Sequence, residues 1–233
     1  MQQLMDAPMT PDAQRERVQA VYVRLEVAYG PLHAPPGDDP LAELIGTILS
    51  QSTTDSNSGR AYARLRALYP SWEEVLDAPE DEIYAAIKPA GLGRMKAPRI
   101  KQTLREVLRR RGELKLDFLG ELPLADAKRW LTSLDGIGPK TAACVLLFAL
   151  GRPALPVDTH VHRVSRRLGL IAPRVSAERA HDQLEAALEP EQVYTFHVAM
   201  IRHGRRVCHA QRPACAACVL RELCEYAAAQ HAQ

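Results

Sequence analysis

The sequence predicts an all-α fold. Three observations carry this: apolar residues recur at intervals of three and four, no segment alternates as a strand does, and helix-start and helix-stop residues punctuate the chain. The first helix follows Thr10-Pro11, carries Val18, Val21, Tyr22 and Leu25 on one stripe, and stops at Gly30-Pro31. Residues 31–40 form a proline-rich connection with Gly37-Asp38-Asp39, a boundary between subregions. Asp39 caps a helix with Leu41, Leu44, Ile45 and Ile48 inward. Another begins near Asp55 with Ala61, Leu65 and Leu68 as its stripe, and Pro70 follows it. Ser71-Trp72-Glu73-Glu74 has capping-box spacing and opens a short helix, with the next over 80–88. Pro89-Ala90-Gly91-Leu92-Gly93 then sets Leu92 between two glycines, where a core leucine is not normally placed. The basic helix after it turns Ile100, Leu104, Val107 and Leu108 inward. Residues 124–134 and 140–150 read as two helices about a tight turn, and 157–168, 176–188 and 191–206 complete the helical set.

A chain of 233 residues allows one large domain or two small ones. At 46% hydrophobic and 25% charged, its composition is that of an ordinary soluble protein. No apolar run approaches the ~20 residues of a membrane helix, and residues 1–12 lack the apolar core of a signal peptide, which argues against export. The net charge of +2 says little, but its distribution says more. Eight basic residues and one acid lie between Arg94 and Arg111, and four arginines with no acid between Arg202 and Arg212. Either run alone reads as a solvated helix face; together, beside a phosphate-seating turn, they favour a nucleic-acid surface.

That turn is Leu134-Asp135-Gly136-Ile137-Gly138-Pro139-Lys140-Thr141. Glycine admits positive φ, proline suits a first helical position, and the exposed N–H groups of the helix start can seat a phosphate oxygen. Lys140 at that start faces the positive end of the helix dipole, which favours a neutral, nucleophilic amine; its bland alternative is a solvent-facing or phosphate-binding lysine. Asp158, eighteen residues on in Val157-Asp158-Thr159-His160-Val161-His162-Arg163, suits an N-cap, a role compatible with catalysis.

Four of the five cysteines lie in Cys208-x6-Cys215-x2-Cys218-x5-Cys224. Without an export signal a metal site is the better reading than a disulfide framework. Four thiolates can enclose one zinc or an iron–sulfur cube. Zinc sites commonly show two close pairs, and only Cys215 and Cys218 form one here; spacing alone leaves both open. Cys144, on the apolar side of its helix, reads as an inert core residue.

The hairpin, the V-D-T-H segment and the cysteine spacing together resemble the endonuclease III family of helix-hairpin-helix base-excision DNA glycosylases. The resemblance runs from about Ile48 to Cys224. It implies two helical subdomains: a six-helix barrel over 38–152 carrying the hairpin, and a discontinuous domain of 1–37 and 153–233 holding a [4Fe–4S] cluster, with DNA bound across the groove between them. It implies a bifunctional DNA N-glycosylase and abasic-site lyase that acts on double-stranded DNA with oxidised pyrimidines or abasic sites. The damaged base is flipped out, the Lys140 amine attacks C1′, and Asp158 assists. A Schiff base then permits β-elimination of the 3′ phosphate. Gly136, Ile137 and Gly138 would give amides to a phosphate, and their carbonyls would hold a monovalent cation. Leu92 matches the leucine pushed into the base stack. Ile48-Leu49-Ser50-Gln51-Ser52-Thr53-Thr54-Asp55 resembles the family's L-S-x-Q-x-T-D, but Ser52 stands at the glutamine position and Gln51 one residue earlier, so both are carried as DNA contacts. A second departure is a longer connection before the hairpin, including residues 116–120. Arg212 would lie against the DNA backbone. His160, His162, His197 and His203 read as structural, with His160 also a DNA contact. A monomer in the cytoplasm is expected, nucleoid-associated if bacterial.

Competing readings are a relative excising mispaired thymine or uracil, or adenine opposite oxidised guanine; a hairpin protein that binds DNA without catalysis; and, remotely, a zinc-stabilised transcription factor, for which no base-reading helix is visible.

Overall fold

The computed structural model describes residues 10–33, 37 and 39–231. Among these, helices and turns form and no strand does. None of the helices is long and apolar enough to cross a membrane. The chain divides into two compact units, one from Met1–Ala34 and Pro153–Gln233, the other from Pro35–Arg152.

Helix α1 (Pro11–Tyr29) opens the first unit, with the Thr10 hydroxyl accepting from Ala13 N at 3.3 Å. The second unit begins with α2 (Pro40–Ser50), whose Leu41, Leu44, Ile45, Ile48 and Leu49 have no exposure at all. This helix is apolar on nearly every face because it is surrounded, a pattern that periodicity alone cannot separate from a one-sided stripe. It packs on α3 (Asp55–Leu68), α6 (Gly93–Arg111) and α8 (Pro139–Cys144), while α4 (Trp72–Asp77) packs on α6, α5 (Glu80–Ile87) on α3 and α6, and α7 (Leu124–Thr132) on α8. Asp39 does double work at the start of α2. Its Oδ1 accepts from Leu41 N at 2.9 Å, and its Oδ2 accepts from the Trp72 indole at 3.0 Å. The predicted capping box at Ser71 and Glu74 is formed in full.

Two details depart from expectation. The helix predicted over 140–150 is α-helical only through Cys144; Val145–Ala149 continue as a π turn packed on α2. Apolar periodicity does not distinguish the two hydrogen-bond patterns. Leu68 and Leu108, assigned inward, are exposed, because each lies at the last turn of its helix where the packed stripe has run out. The longer connection at 116–120 is itself packed: Leu116 and Leu119 are buried and Phe118 meets Trp130 edge-on at 5.1 Å.

The first unit is completed by α9 (Thr159–Leu168), α10 (Ala177–Glu185), α11 (Gln192–Arg206) and α12 (Glu225–His231). The buried stripe of α1 packs on α11, and Phe196 of α11 is fully enclosed. Thr195 ties the exit of α1 to α11 through bonds with both the N–H and the carbonyl of Leu32.

Asp39→Ala removes a helix cap and the Trp72 partner together. The expected loss is about 1–2 kcal/mol, read as a lower urea midpoint; an unchanged midpoint would show that neither bond holds the unit together.

Candidate active site and metal centre

The hairpin is a turn anchored by its aliphatic residues. Leu134 and Ile137 are buried while Gly136 and Gly138 are exposed, and Ile137 N donates to Leu134 O at 3.1 Å. The Ile137 N–H is thereby engaged inside the turn. Gly138 caps α8 with no side-chain bond, Pro139 brings no N–H, and Ala142 N returns to Gly138 O at 3.0 Å. The amides of Lys140 and Thr141 therefore have no carbonyl within their own helix, which is the donor arrangement an anion requires. Gly136 has φ 71°, and a Cβ there would collide with the Arg99 guanidinium of α6. A cation thus lies directly on the glycine turn, from a residue that no motif singled out.

Lys140 is the second residue of α8 and is half-buried. In the other unit Asp158 is the N-cap of α9, its Oδ1 accepting from Val161 N at 2.8 Å. One carboxylate oxygen is thereby oriented by the helix, and Oδ2 lies outside the cap. The segment leading into Asp158 is clamped from three sides: His181 meets Leu155 O at 2.7 Å, His197 meets Pro156 O at 2.8 Å, and Glu185 accepts from Leu155 N at 2.8 Å. His162 meets Val175 O at 2.8 Å. His162 and His197 are structural, as read from sequence; the clamp by His181 and Glu185 carried no sequence signal.

Helix α9 also carries the brace for the cysteine loop. Arg163 donates to Cys208 O, Gly204 O and the His160 ring, all at 2.9 to 3.1 Å. One turn on, Arg167 donates to Cys208 Sγ at 3.2 Å and to the carbonyls of His209 and Ala210, with its guanidinium 4.6 Å over the Tyr226 ring. All four of Cys208, Cys215, Cys218 and Cys224 line one cavity with Arg167, His203 and Tyr226. Burial, reinforced by the neighbouring sulfurs, pushes the Cys218 and Cys224 thiols up, so the thiolate forms call for compensating positive charge. His203 is 1% exposed, and burial lowers its imidazole to about 4, keeping it neutral. With Tyr29 donating to Nδ1 at 2.9 Å, Nε2–H faces Cys218 Sγ at 3.4 Å. Among the described residues no three His, Cys, Asp or Glu side chains converge tightly enough for a single ion. The four thiols nonetheless line one cavity, and four thiolates there can enclose either one zinc or an iron–sulfur cube.

The backbone marks three further positions. Among the described residues, Ser52, Leu92 and Arg212 alone adopt positive φ without being glycine, at 53°, 49° and 50°. Each had been singled out from sequence as a DNA contact, and all three are exposed. Gln51, the C-cap of α2, is half-buried beside Ser52. The basic run on α6 reads differently in the structure. Lys96 and Lys101 are buried, Arg109 and Arg110 pair with Glu106, and Arg94 and Arg111 lie over Tyr84 and Phe118. Two of its charges, Lys96 and Lys101, are turned inward by the neighbours that enclose the helix, while Arg94, Arg105, Arg109 and Arg111 stay exposed. In the other run, Arg202, Arg205, Arg206 and Arg212 remain exposed.

A family model described as HhH-GPD superfamily base excision DNA repair protein matches residues 45–190. The chain is 37% identical over 188 residues to endonuclease III of Thermotoga maritima, covering 81% of this chain and 84% of that protein. It is 33% identical over 187 residues to endonuclease III of Escherichia coli, covering 80% and 84%. Among solved structures, a non-covalent endonuclease III–DNA complex matches with a TM-score of 0.79 at 30% identity, over 94% of this chain and 99% of that one. A trapped endonuclease III–DNA covalent intermediate matches with a TM-score of 0.78 at the same identity, over 93% and 98%.

Gly136→Ala must strain a left-handed position and displace Arg99. A loss of about 1–2 kcal/mol is expected, measured as a lower unfolding midpoint; unchanged stability would mean the Arg99 contact is dispensable.

Proposed function

We infer the reaction from one premise: the chain belongs to the endonuclease III family of HhH-GPD base-excision DNA glycosylases. On that footing it is a bifunctional DNA glycosylase and abasic-site lyase acting on duplex DNA with oxidised pyrimidines. The observation that carries the lyase step is Lys140 in the first turn after the hairpin. A trapped covalent intermediate in a related endonuclease III requires a nucleophile on the protein, and Lys140 supplies an amine at the corresponding motif position. Its lone pair attacks C1′ of the damaged nucleotide, and the glycosidic bond breaks with its electrons leaving on the base. The Asp158 carboxylate stabilises the cationic sugar as the base departs and then takes a proton from the attached amine. The sugar ring opens as the nitrogen lone pair forms the iminium: the C1′–O4′ bond breaks and O4′ takes a proton. The iminium acidifies C2′; loss of that proton forms a C2′–C3′ double bond, breaks the C3′–O bond and releases the 3′ phosphate, and water then hydrolyses the imine and frees the lysine.

Around this chemistry, the amides of Gly136 and Gly138, with those of Lys140 and Thr141 at the helix start, hold a phosphate, and the turn carbonyls suit a monovalent cation. Leu92 enters the base stack, and Gln51 and Ser52 occupy the vacated space. His160 and Arg212 contact the backbone of the same strand pair, where phosphate contacts position without reading sequence. The unit Pro35–Arg152 is the barrel domain, and the other is the cluster domain. Cys208, Cys215, Cys218 and Cys224 would hold a [4Fe–4S] cluster, which supplies structural cross-linking of the cysteine loop. The protein acts as a monomer wherever chromosomal DNA is kept.

Borohydride should trap a covalent adduct on abasic and oxidised-pyrimidine duplexes. Lys140→Gln should abolish trapping while leaving DNA binding intact, and an adduct that persists in this variant would remove Lys140 from its role. Asp158→Asn should slow base excision by about 10²–10⁴-fold, with binding retained. Purified protein should be brown with broad visible absorbance, and Cys224→Ser should lose the colour; colourless protein with stoichiometric zinc would overturn the cluster assignment.

A further inference from the structure

We propose that Lys96 is a positioning residue that holds the two DNA-probing loops of its unit in one fixed geometry through a single buried ammonium. Lys96 lies in the first turns of α6 and is only 4% exposed. Its Nζ donates to Leu49 O at 2.8 Å and to Ala90 O at 3.0 Å. Both carbonyls are at C-terminal ends: Leu49 is the next-to-last residue of α2, and Ala90 closes the short 3-10 turn Lys88–Ala90. Carbonyls there lack helical donors and carry partial negative charge, so they suit a cation. Each leads directly into a strained loop. Three residues after Leu49 comes Ser52 at φ 53°, and two after Ala90 comes Leu92 at φ 49°.

Left-handed conformations in residues with side chains persist only where the surroundings over-determine them. Among the described residues, Lys96 is the one side chain that bonds the backbone entering both loops. No ion pair involves it among the described residues, and burial alone lowers its affinity for the proton. A buried charge without a carboxylate is costly unless its hydrogen bonds replace water, and here the two carbonyls do so. The neighbouring first turn of α6 is fixed in the same way. Gly93 is buried so closely on Tyr84 that a Cβ would clash with the ring, and Leu92 and Met95, 53% and 63% exposed, point outward one turn apart. The wedge loop and the filling loop are therefore not independent: moving one drags the ammonium, and with it the other.

This inference rests on the proposed DNA roles of Leu92, Gln51 and Ser52, and its test separates the two. In full-length protein, Lys96→Met should speed amide exchange at 50–53 and 91–94 by about tenfold, while the hairpin turn at 136–138 is unchanged. On a duplex carrying an oxidised pyrimidine, kcat should fall about tenfold or more. Borohydride trapping on single-stranded abasic DNA, which presents no base stack to enter, should stay within about twofold of the unaltered protein. Unchanged exchange at either loop, or equal losses on both DNAs, would overturn the proposal. If Lys96→Met fails to fold by circular dichroism, Lys96→Gln, whose shorter amide cannot span both carbonyls, is measured in its place with the same outcomes. If the unaltered protein cleaves neither DNA, the proposed function fails, and amide exchange still decides the role of Lys96.

Discussion

An all-helical chain built from short elements has many helix ends, and every end leaves carbonyls without helical donors. In this protein side-chain cations answer that constraint. Lys96 takes the carbonyls of Leu49 and Ala90, Lys101 that of Ala78, and Arg152 that of Leu119. In the other unit Arg17 reaches Leu168 and Leu223, Arg163 reaches Gly204 and Cys208, and Arg167 reaches His209 and Ala210. These bonds pair a full positive charge with the negative end of a helix and fix where the next loop begins. The loops so fixed include those leading to Ser52, Leu92 and the cluster cysteines. Placement of the site depends on the satisfaction of helix ends.

The same constraint explains what could be read from sequence. Helix existence was legible from α1 to α11, because Thr10, Asp39, Ser71 and Asp158 announce their caps and the apolar spacing is regular; α12, a helix of seven residues after the cysteines, was not assigned. The hairpin and Asp158 were legible because glycine, proline and an N-cap aspartate have few structural uses at such spacing. The basic run on α6 was legible only in part, because a lysine serving a carbonyl, as Lys96 and Lys101 do, and one serving a phosphate are the same letter. Arg163 and the histidines holding residues 155–156 were illegible for a related reason: their partners include backbone atoms far away in the chain, and backbone leaves no trace in sequence. The π turn was invisible because its residues are as apolar as those of an α-helix would be.

Strain is concentrated where function is proposed. The three non-glycine residues at positive φ lie at a loop after α2, at the turn into α6 and in the cysteine loop. Each is backed by a rigid element: two by the Lys96 ammonium, the third by Arg163 and Arg167 on α9. That helix begins at Asp158, so the oriented carboxylate and the brace of the cysteine loop share one rigid body. A cluster bound there would stiffen the same helix end to end.

The bond between Leu32 and Thr195 joins residues on either side of the whole Pro35–Arg152 unit. During synthesis, α1 emerges first but has nothing to bury its valines and Leu25 against until α11 follows. At translation rates of about 5–20 residues per second, that interval is on the order of ten to thirty seconds. The inserted unit has all of its own sequence long before then. The nascent protein thus carries a unit whose sequence is complete and one helix whose buried stripe, Val18, Val21, Tyr22 and Leu25, still awaits its partner.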